Sequence, residues 1–282
     1  GVAVYGDPTW SPPGRGCVSI AELAPGTTAD IAAVTAAVAA ELGSDVDGVA
    51  VGHGFQLSAA VESERLLAAV RSAYPRALIA GFGADMAVLK GVGHPRALTD
   101  AWGLTKAQGW QGVGHTRMAT ESAVTPAGCH PYAVGPGQCL VHNGSFANHA
   151  TVRRELRSAG ISFDSENDTE VGARFIAKQL ADGLDVQTAL KALCATFDGF
   201  YTLLVSNRDS FAVVRDAIAC KPAVIAETDD WVAMGSEYRA LAGLPGVAGR
   251  FFRTLGSAGV NVRAIAQGAS ERNISAVIAS KD

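Results

Sequence analysis

Charge is scarce in this 282-residue chain, at 18% of residues, and neither sign dominates: 23 Lys and Arg face 27 Asp and Glu, a net charge of −4. Binding to nucleic acid normally leaves a basic excess for phosphate, so no nucleic-acid partner is expected. Long apolar runs are also missing. The most apolar stretch, Ile31 to Ala40, is closed by Glu41 and falls well short of the roughly 20 residues of a membrane span, so no membrane partner is expected. The five cysteines (Cys17, Cys129, Cys139, Cys194 and Cys220) are odd in number and contain no CxxC pair. That argues against a disulfide framework, a zinc site and an iron–sulfur cluster. No metal or cofactor is expected. The opening residues carry no basic-then-apolar leader, which makes the cytoplasm the expected compartment and strips the sequons at Asn143, Asn167 and Asn273 of weight.

What is present is the composition of a well-buried globular protein, with 48% hydrophobic residues and enough length for one large domain or two ordinary ones. GVAVYG (Gly1 to Gly6) reads as a strand ending in a turn, followed by a Gly/Pro/Ser loop to Gly16. Strands and helices then alternate. CVSIAEL is a strand, Thr28 to Leu42 an Ala-rich helix with Asp30 in its first turn, and GVAVGHGF a strand. Ser58 to Ala73 is an amphipathic helix, RALIAGFG a strand, and Asp85 to Lys90 a short helix. The order predicts a small α+β or split-βαβ layer. His53 and His94 sit beside glycines and read as turn residues.

Further on, GVGHTRMAT is a strand running into a loop and QCLVHNGS a strand ending in a tight turn. Ala150 to Ser158 is a helix stopped by Gly160, and two more helices cover Thr169 to Ala181 and Val186 to Thr196. The strands FYTLLVS, SFAVVRD, PAVIAET and WVAMGS follow in quick succession. The pattern predicts two sheets sandwiched between helical layers. The tail, from residue 246 to 282, reads as a helix (Val247 to Leu255) and two strands of a different unit.

Four short motifs carry chemistry. An Asn-Gly turn at Asn143 and Gly144 brings an amide side chain and a backbone N–H to one point, as an oxyanion hole requires, although Asn-Gly is equally the signal of a plain hairpin. Arg117, after a short apolar strand, offers a bidentate guanidinium to a carboxylate. Asp168 would hold the ammonium of the same zwitterion, and it also has the look of a helix N-cap.

In order and spacing, GHTRMAT, the HPY of His130 to Tyr132, VHNGS and NDTE resemble the class II glutamine amidotransferases, which are N-terminal-nucleophile hydrolases. The resemblance runs from about Gln111 to Gly246. With GVAVYG, DAIACKPAV and GSEYRAL it looks closest to the free-standing glutaminase subunits of N-methylglutamate synthase and related glutamate-synthase-like complexes. It implies an α+β, four-layer αββα sandwich, formed by residues 1–16 and 111–245, with residues 17–110 as an inserted α+β layer. It also implies roles. Arg117 binds the glutamine carboxylate with Thr120 and His130 nearby, Asn143 and Gly144 form the oxyanion hole, and Asp168 binds the ammonium. Arg117 and Asp168 are expected on opposite sides of one pocket with Asn143 at its floor.

The family's nucleophile is an N-terminal cysteine whose own amino group is the base, and Gly1 cannot play that part. The resemblance therefore implies that the sequence begins partway into the domain. Residues 246–282 resemble half of an ACT module of the kind found in aspartate kinase–homoserine dehydrogenases. The implied activity is hydrolysis of glutamine to glutamate, with ammonia delivered to the synthase subunits of a hetero-oligomeric complex. A catalytically inactive glutamine-binding or regulatory subunit is the alternative.

Overall fold

The computed structural model describes residues 1–117 apart from 8, 25, 26 and 28, residues 124–236, residue 241, and the strand segments 262–266 and 275–278. Thr120, the helix expected over Val247 to Leu255 and most of GSEYRAL lie outside the described residues.

Two sheets face each other. One has the order β6-β1-β7, made of Met86–Leu89, Val2–Tyr5 and Gln111–Gly114. The other has the order β11-β10-β9-β8, made of Phe211–Arg215, Gly199–Ser206, Gln138–Phe146 and Tyr132–Gly135. Both are antiparallel throughout. Alternation along β1 explains the layering. Ala3 and Tyr5 turn inward to Met86, Val88, Ala133 and Cys139 between the sheets, whereas Val2 and Val4 turn outward to Leu89, Leu98 and Trp102. The Tyr5 hydroxyl reaches across to the carbonyl of Gly137 at 3.2 Å and the hydroxyl of Ser206 at 3.1 Å. Helices α4 (His149–Ser158), α5 (Asp168–Ala181) and α6 (Val186–Thr196) pack on the outer face of the four-stranded sheet, around Phe146, Ile176, Leu193 and Leu203. Helix α3 (Pro95–Trp102) covers the outer face of the other sheet. The α+β fold is thus layered αββα, as expected.

A third sheet, β3-β4-β2-β5, has its own core. Its strands are β2 (Gly16–Glu22), β3 (Asp47–Val51), β4 (Gly54–Ala59) and β5 (Leu78–Ala84), with α1 (Ile31–Leu42) and α2 (Ser63–Ala73) on one face. The element order β2-α1-β3-β4-α2-β5 is the split-βαβ arrangement. The hairpins β12–β13 (Val224–Glu227, Val232–Gly235) and β14–β15 (Val262–Ala266, Ser275–Ile278) complete the described chain.

Several local expectations need correction. Asp85 to Lys90 is not a helix: Asp85, at φ 56, makes a turn, and Met86–Leu89 pair with β1 as a strand. A four-residue apolar run has no decisive period, and the open edge of β1 decides it. GVAVGHGF is not one strand but the hairpin β3–β4, turned at Gly52 with φ 63. The helix expected from Ser58 starts at Ser63, because Ser58 pairs with Cys17 and Asp47 inside the sheet. Helix α3, opened by Pro95, was not anticipated; Pro at the first helical position is the signal that was passed over.

Candidate active site

A further correction falls in the site itself. QCLVHNGS does not end in a turn. Strand β9 runs unbroken through it to Phe146, with Asn143 opposite Thr202 and Gly144 opposite Tyr201 on β10. Gly144 has φ 142, and a Cβ there would lie 2.0 Å from the carbonyl oxygen of Phe200, so glycine is required by backbone angle and by space alike. The buried strand emerges at this point: Val141 and His142 are buried, Asn143 half-buried and Gly144 exposed. An amide side chain and a distorted backbone segment therefore meet solvent side by side.

Helix α5 brings the acid. Its N-cap is Asn167, not Asp168: the Asn167 side chain accepts from the Thr169 N–H at 2.9 Å. Asp168 is the first helical residue, where a carboxylate is favoured by the helix dipole. Its Oδ2 accepts from the Phe146 N–H at 2.9 Å, which pins the carboxylate two residues from Gly144. The approach to α5 is held by Arg153 of α4, buried, which donates to the carbonyls of Ser165 at 2.7 Å and Asn167 at 3.0 Å.

Between these elements lies a group of histidines that reading the sequence left out, apart from His130. The Thr169 hydroxyl sits 2.9 Å from His130 Nε2 and 3.0 Å from His142 Nδ1. A hydroxyl carries one proton, so at least one of the two rings donates to it. The His115 ring lies against that of His130, with centroids 4.2 Å apart, and His142 stacks on Phe146 at 4.4 Å. Burial pushes His115 and His142 down to about 4 and His130 well below its usual range, so all three are neutral at pH 7. Asp168, 3.8 Å from His142, opposes the shift there without reversing it. Among the described residues, His115 Nδ1, His130 Nδ1 and His142 Nε2 have no hydrogen-bond partner. The signals were present, since His115 precedes Arg117 by two residues and His142 abuts Asn143. Their meeting at Thr169 is a tertiary fact.

Arg117 is half-buried beyond β7, and its charge adds a minor push to the lowering that burial imposes on His115 and His130. Asp168 stands on the His142 side of Thr169. The Thr169 hydroxyl thus joins His130 to His142, with Asp168 beside it at the start of α5 and Asn143 and Gly144 next along β9 from His142. Among the described residues, no cluster of His, Cys, Asp and Glu is arranged to hold a metal ion, and no helix is long and apolar enough to cross a membrane.

Residues 115–243 match the family model described as a glutamine amidotransferase domain, and residues 239–282 match that of an ACT domain. The glutamine amidotransferase-like protein GlxB of Rhizobium meliloti (strain 1021) is 50% identical over 182 residues, which cover 64% of this chain and 60% of GlxB. A glutamine–fructose-6-phosphate aminotransferase (isomerizing) of Xanthomonas campestris pv. campestris is 43% identical over 97 residues, 34% of this chain and 16% of that protein. Among solved structures, the glutamine phosphoribosylpyrophosphate amidotransferase from B. subtilis complexed with ADP and GMP aligns with 88% of this chain and 43% of its own, at a TM-score of 0.45 and 16% identity. The chain therefore spans about 60% of the length of GlxB and less of the aminotransferase.

Residues 115–243 are therefore similar to a glutamine amidotransferase domain, and residues 239–282 to an ACT domain.

Proposed function

We propose that the site binds glutamine as a zwitterion and serves hydrolysis of its side-chain amide, in the manner of class II amidotransferases. Arg117 would take the α-carboxylate through its paired N–H donors, and Asp168 the α-ammonium. His130 would line the pocket between them, and the family resemblance assigns Thr120 to the same pocket. The side-chain amide of Asn143 and the backbone N–H of Gly144 would receive the oxygen that turns negative as the amide carbon becomes tetrahedral. The observation that carries this reading is the bond from the Phe146 N–H to Asp168, which fixes an anion beside the Asn143–Gly144 segment. Hydrolysis also needs a nucleophile with an adjacent base, which Gly1 does not supply. The 282-residue chain is therefore expected to bind glutamine without turning it over. The ammonia would pass to synthase subunits of a complex of the glutamate-synthase-like or N-methylglutamate-synthase type.

The test is kinetic, in a polypeptide that carries this chain behind an N-terminal cysteine. Arg117→Ala removes a contact present in ground and transition states alike and should raise KM with little change in kcat. Asn143→Ala should lower kcat by about 10²–10³, the usual loss for one oxyanion donor. A raised KM with unchanged kcat for Asn143→Ala would overturn the oxyanion assignment. The ACT match favours a second reading, a glutamine-binding regulatory subunit. It predicts glutamine binding but no glutamate release even with the cysteine in place.

A further inference from the structure

A shallow cleft, open to solvent, lies beside Tyr132, the ring that touches His130. It opens where the split-βαβ layer meets the central sandwich. Leu78, Ile79, Ala80 and Phe82 of β5 form one wall and Tyr132, Ala133 and Val134 of β8 the other, with Lys90, Glu170 and Arg174 between them and Arg71 also on the rim. Helix α5 separates the two sites. Successive helical residues are about 100° apart, so Asp168 and Glu170 point to nearly opposite faces of its first turn. Asp168 serves the histidine side and Glu170 the cleft.

The charges in the cleft do not balance. Arg174 is held by Asp164 at 2.8 Å and by Glu170 at 2.9 Å. The remaining capacity of Glu170 is taken up by the N–H of Asp164 at 2.9 Å and by the N–H and hydroxyl of Ser165, each at 2.7 Å. Glu170 is thus fully committed, and the half-exposed Asp164 is turned to Arg174. Lys90 and Arg71 have no ion-pair partner among the described residues. The Lys90 ammonium instead rests over the face of Tyr132, 4.7 Å from the ring centroid. A half-buried cation without a counter-charge is costly to keep, and an apolar wall within reach adds room for a hydrocarbon tail.

We propose that this cleft is a second ligand site, specific for a small organic monocarboxylate whose charged end pairs with Lys90 and Arg71 and whose apolar end lies along β5. The state of the amine agrees: burial brings Lys90 down to about 8, and the opposing pull of the committed Glu170 and Asp164 does not make up for it. An arriving carboxylate reverses that shift. Tyr132, which forms the floor under Lys90, also touches His130 edge-on with ring centroids 5.2 Å apart, so the occupant sits one ring away from the histidine group.

The test uses the whole 282-residue chain with ¹³C at lysine Cε and sodium butyrate as the probe, with Lys90→Met to assign the signal. Lys90 should titrate near pH 8, butyrate should shift its signal saturably and raise its midpoint, and saturating L-glutamine should not displace butyrate. Arg71 is exposed, so Arg71→Ala leaves the fold intact; it should weaken butyrate binding about tenfold, as expected for one charge-assisted contact. The proposal is overturned by no butyrate response at Lys90, by an unchanged affinity in Arg71→Ala, by displacement with glutamine, or by tighter binding of inorganic phosphate than of butyrate. None of these readouts involves Arg117 or Asp168, so failure of the glutamine reading would show separately as absence of glutamine binding.

Discussion

At the scale of single residues, Gly144 shows how much one backbone position decides. Its φ of 142° belongs to glycine, and β10 leaves no room for a Cβ because the Phe200 carbonyl is 2.0 Å away. Gly199, opposite Phe146, has φ 131 and is crowded in the same way by the Ser145 carbonyl, so the two strands are pressed together around the exposed end of the site. Gly144→Ala should therefore cost about 2 to 3 kcal/mol, from strain plus forced separation of β9 and β10. Urea unfolding of the two proteins measures it. A loss within about 0.5 kcal/mol, the usual range for a neutral surface change, would show that the segment relaxes freely.

The same residue marks the limit of reading the sequence. Arg117, His130, Asn143 and Asp168 stand out in the sequence because each lies in a contiguous motif whose residue types suit one task. The Asn-Gly turn was misread because local preference points to a hairpin, while eight register pairs with β10 hold the segment extended. Asp168 was read as a cap by the same local logic, and the cap is its neighbour Asn167, which leaves the aspartate free to bind Phe146.

At the scale of elements, β8, β9 and α5 meet at Thr169. The two rings bonded there are buried to 5% exposure and neutral, which makes stability depend on pH. In the unfolded chain a histidine protonates near pH 6.5, whereas in the fold His142 resists to about 4 and His130 lower still. Between those values the unfolded state binds more protons, so stability is full above about pH 6.5 and falls on acidification toward pH 4. Each such histidine contributes a slope of up to about 1.4 kcal/mol per pH unit. Urea titrations at several pH values between 7 and 5 should show the loss, and a stability that is flat or rising on acidification would contradict the neutral assignment. No motif could have announced this network. His130 and Thr169 are 39 residues apart and His142 and Thr169 are 27 apart, and only the packing of α5 on the sheet unites them. The misread strand β6 has the same origin, since MAVL becomes a strand only because β1 offers an edge.

At the scale of the whole molecule, the alternation of strands and helices made the αββα layering and the split-βαβ layer readable in outline. The joints between the layers were not readable. The clearest is Asp85, whose side chain is 2% exposed: it accepts from the Gly14 N–H at 2.7 Å and pairs with Arg208, beyond β10, at 2.8 Å. Asp85→Ala should cost about 3 to 5 kcal/mol, because it breaks a partly buried pair and leaves the Gly14 N–H without its acceptor. Asp85→Asn keeps an acceptor and tolerates the positive φ, so it should cost clearly less. Thermal or urea unfolding of both variants separates charge from backbone conformation, and equal losses would mean that the ion pair, and not the turn or the Gly14 acceptor, holds the layers together.

The central claim is that Arg117 and Asp168 clamp a glutamine zwitterion across the Thr169-centred histidines. The most direct measurement is calorimetric titration of the 282-residue chain with L-glutamine, in parallel with Arg117→Ala. The account predicts saturable one-site binding by the parent chain, weakened about tenfold or more in the variant through loss of a charge-assisted bidentate contact, with the same unfolding curve for both proteins. Absence of binding by the folded parent chain, or an affinity that Arg117→Ala leaves unchanged, would contradict it.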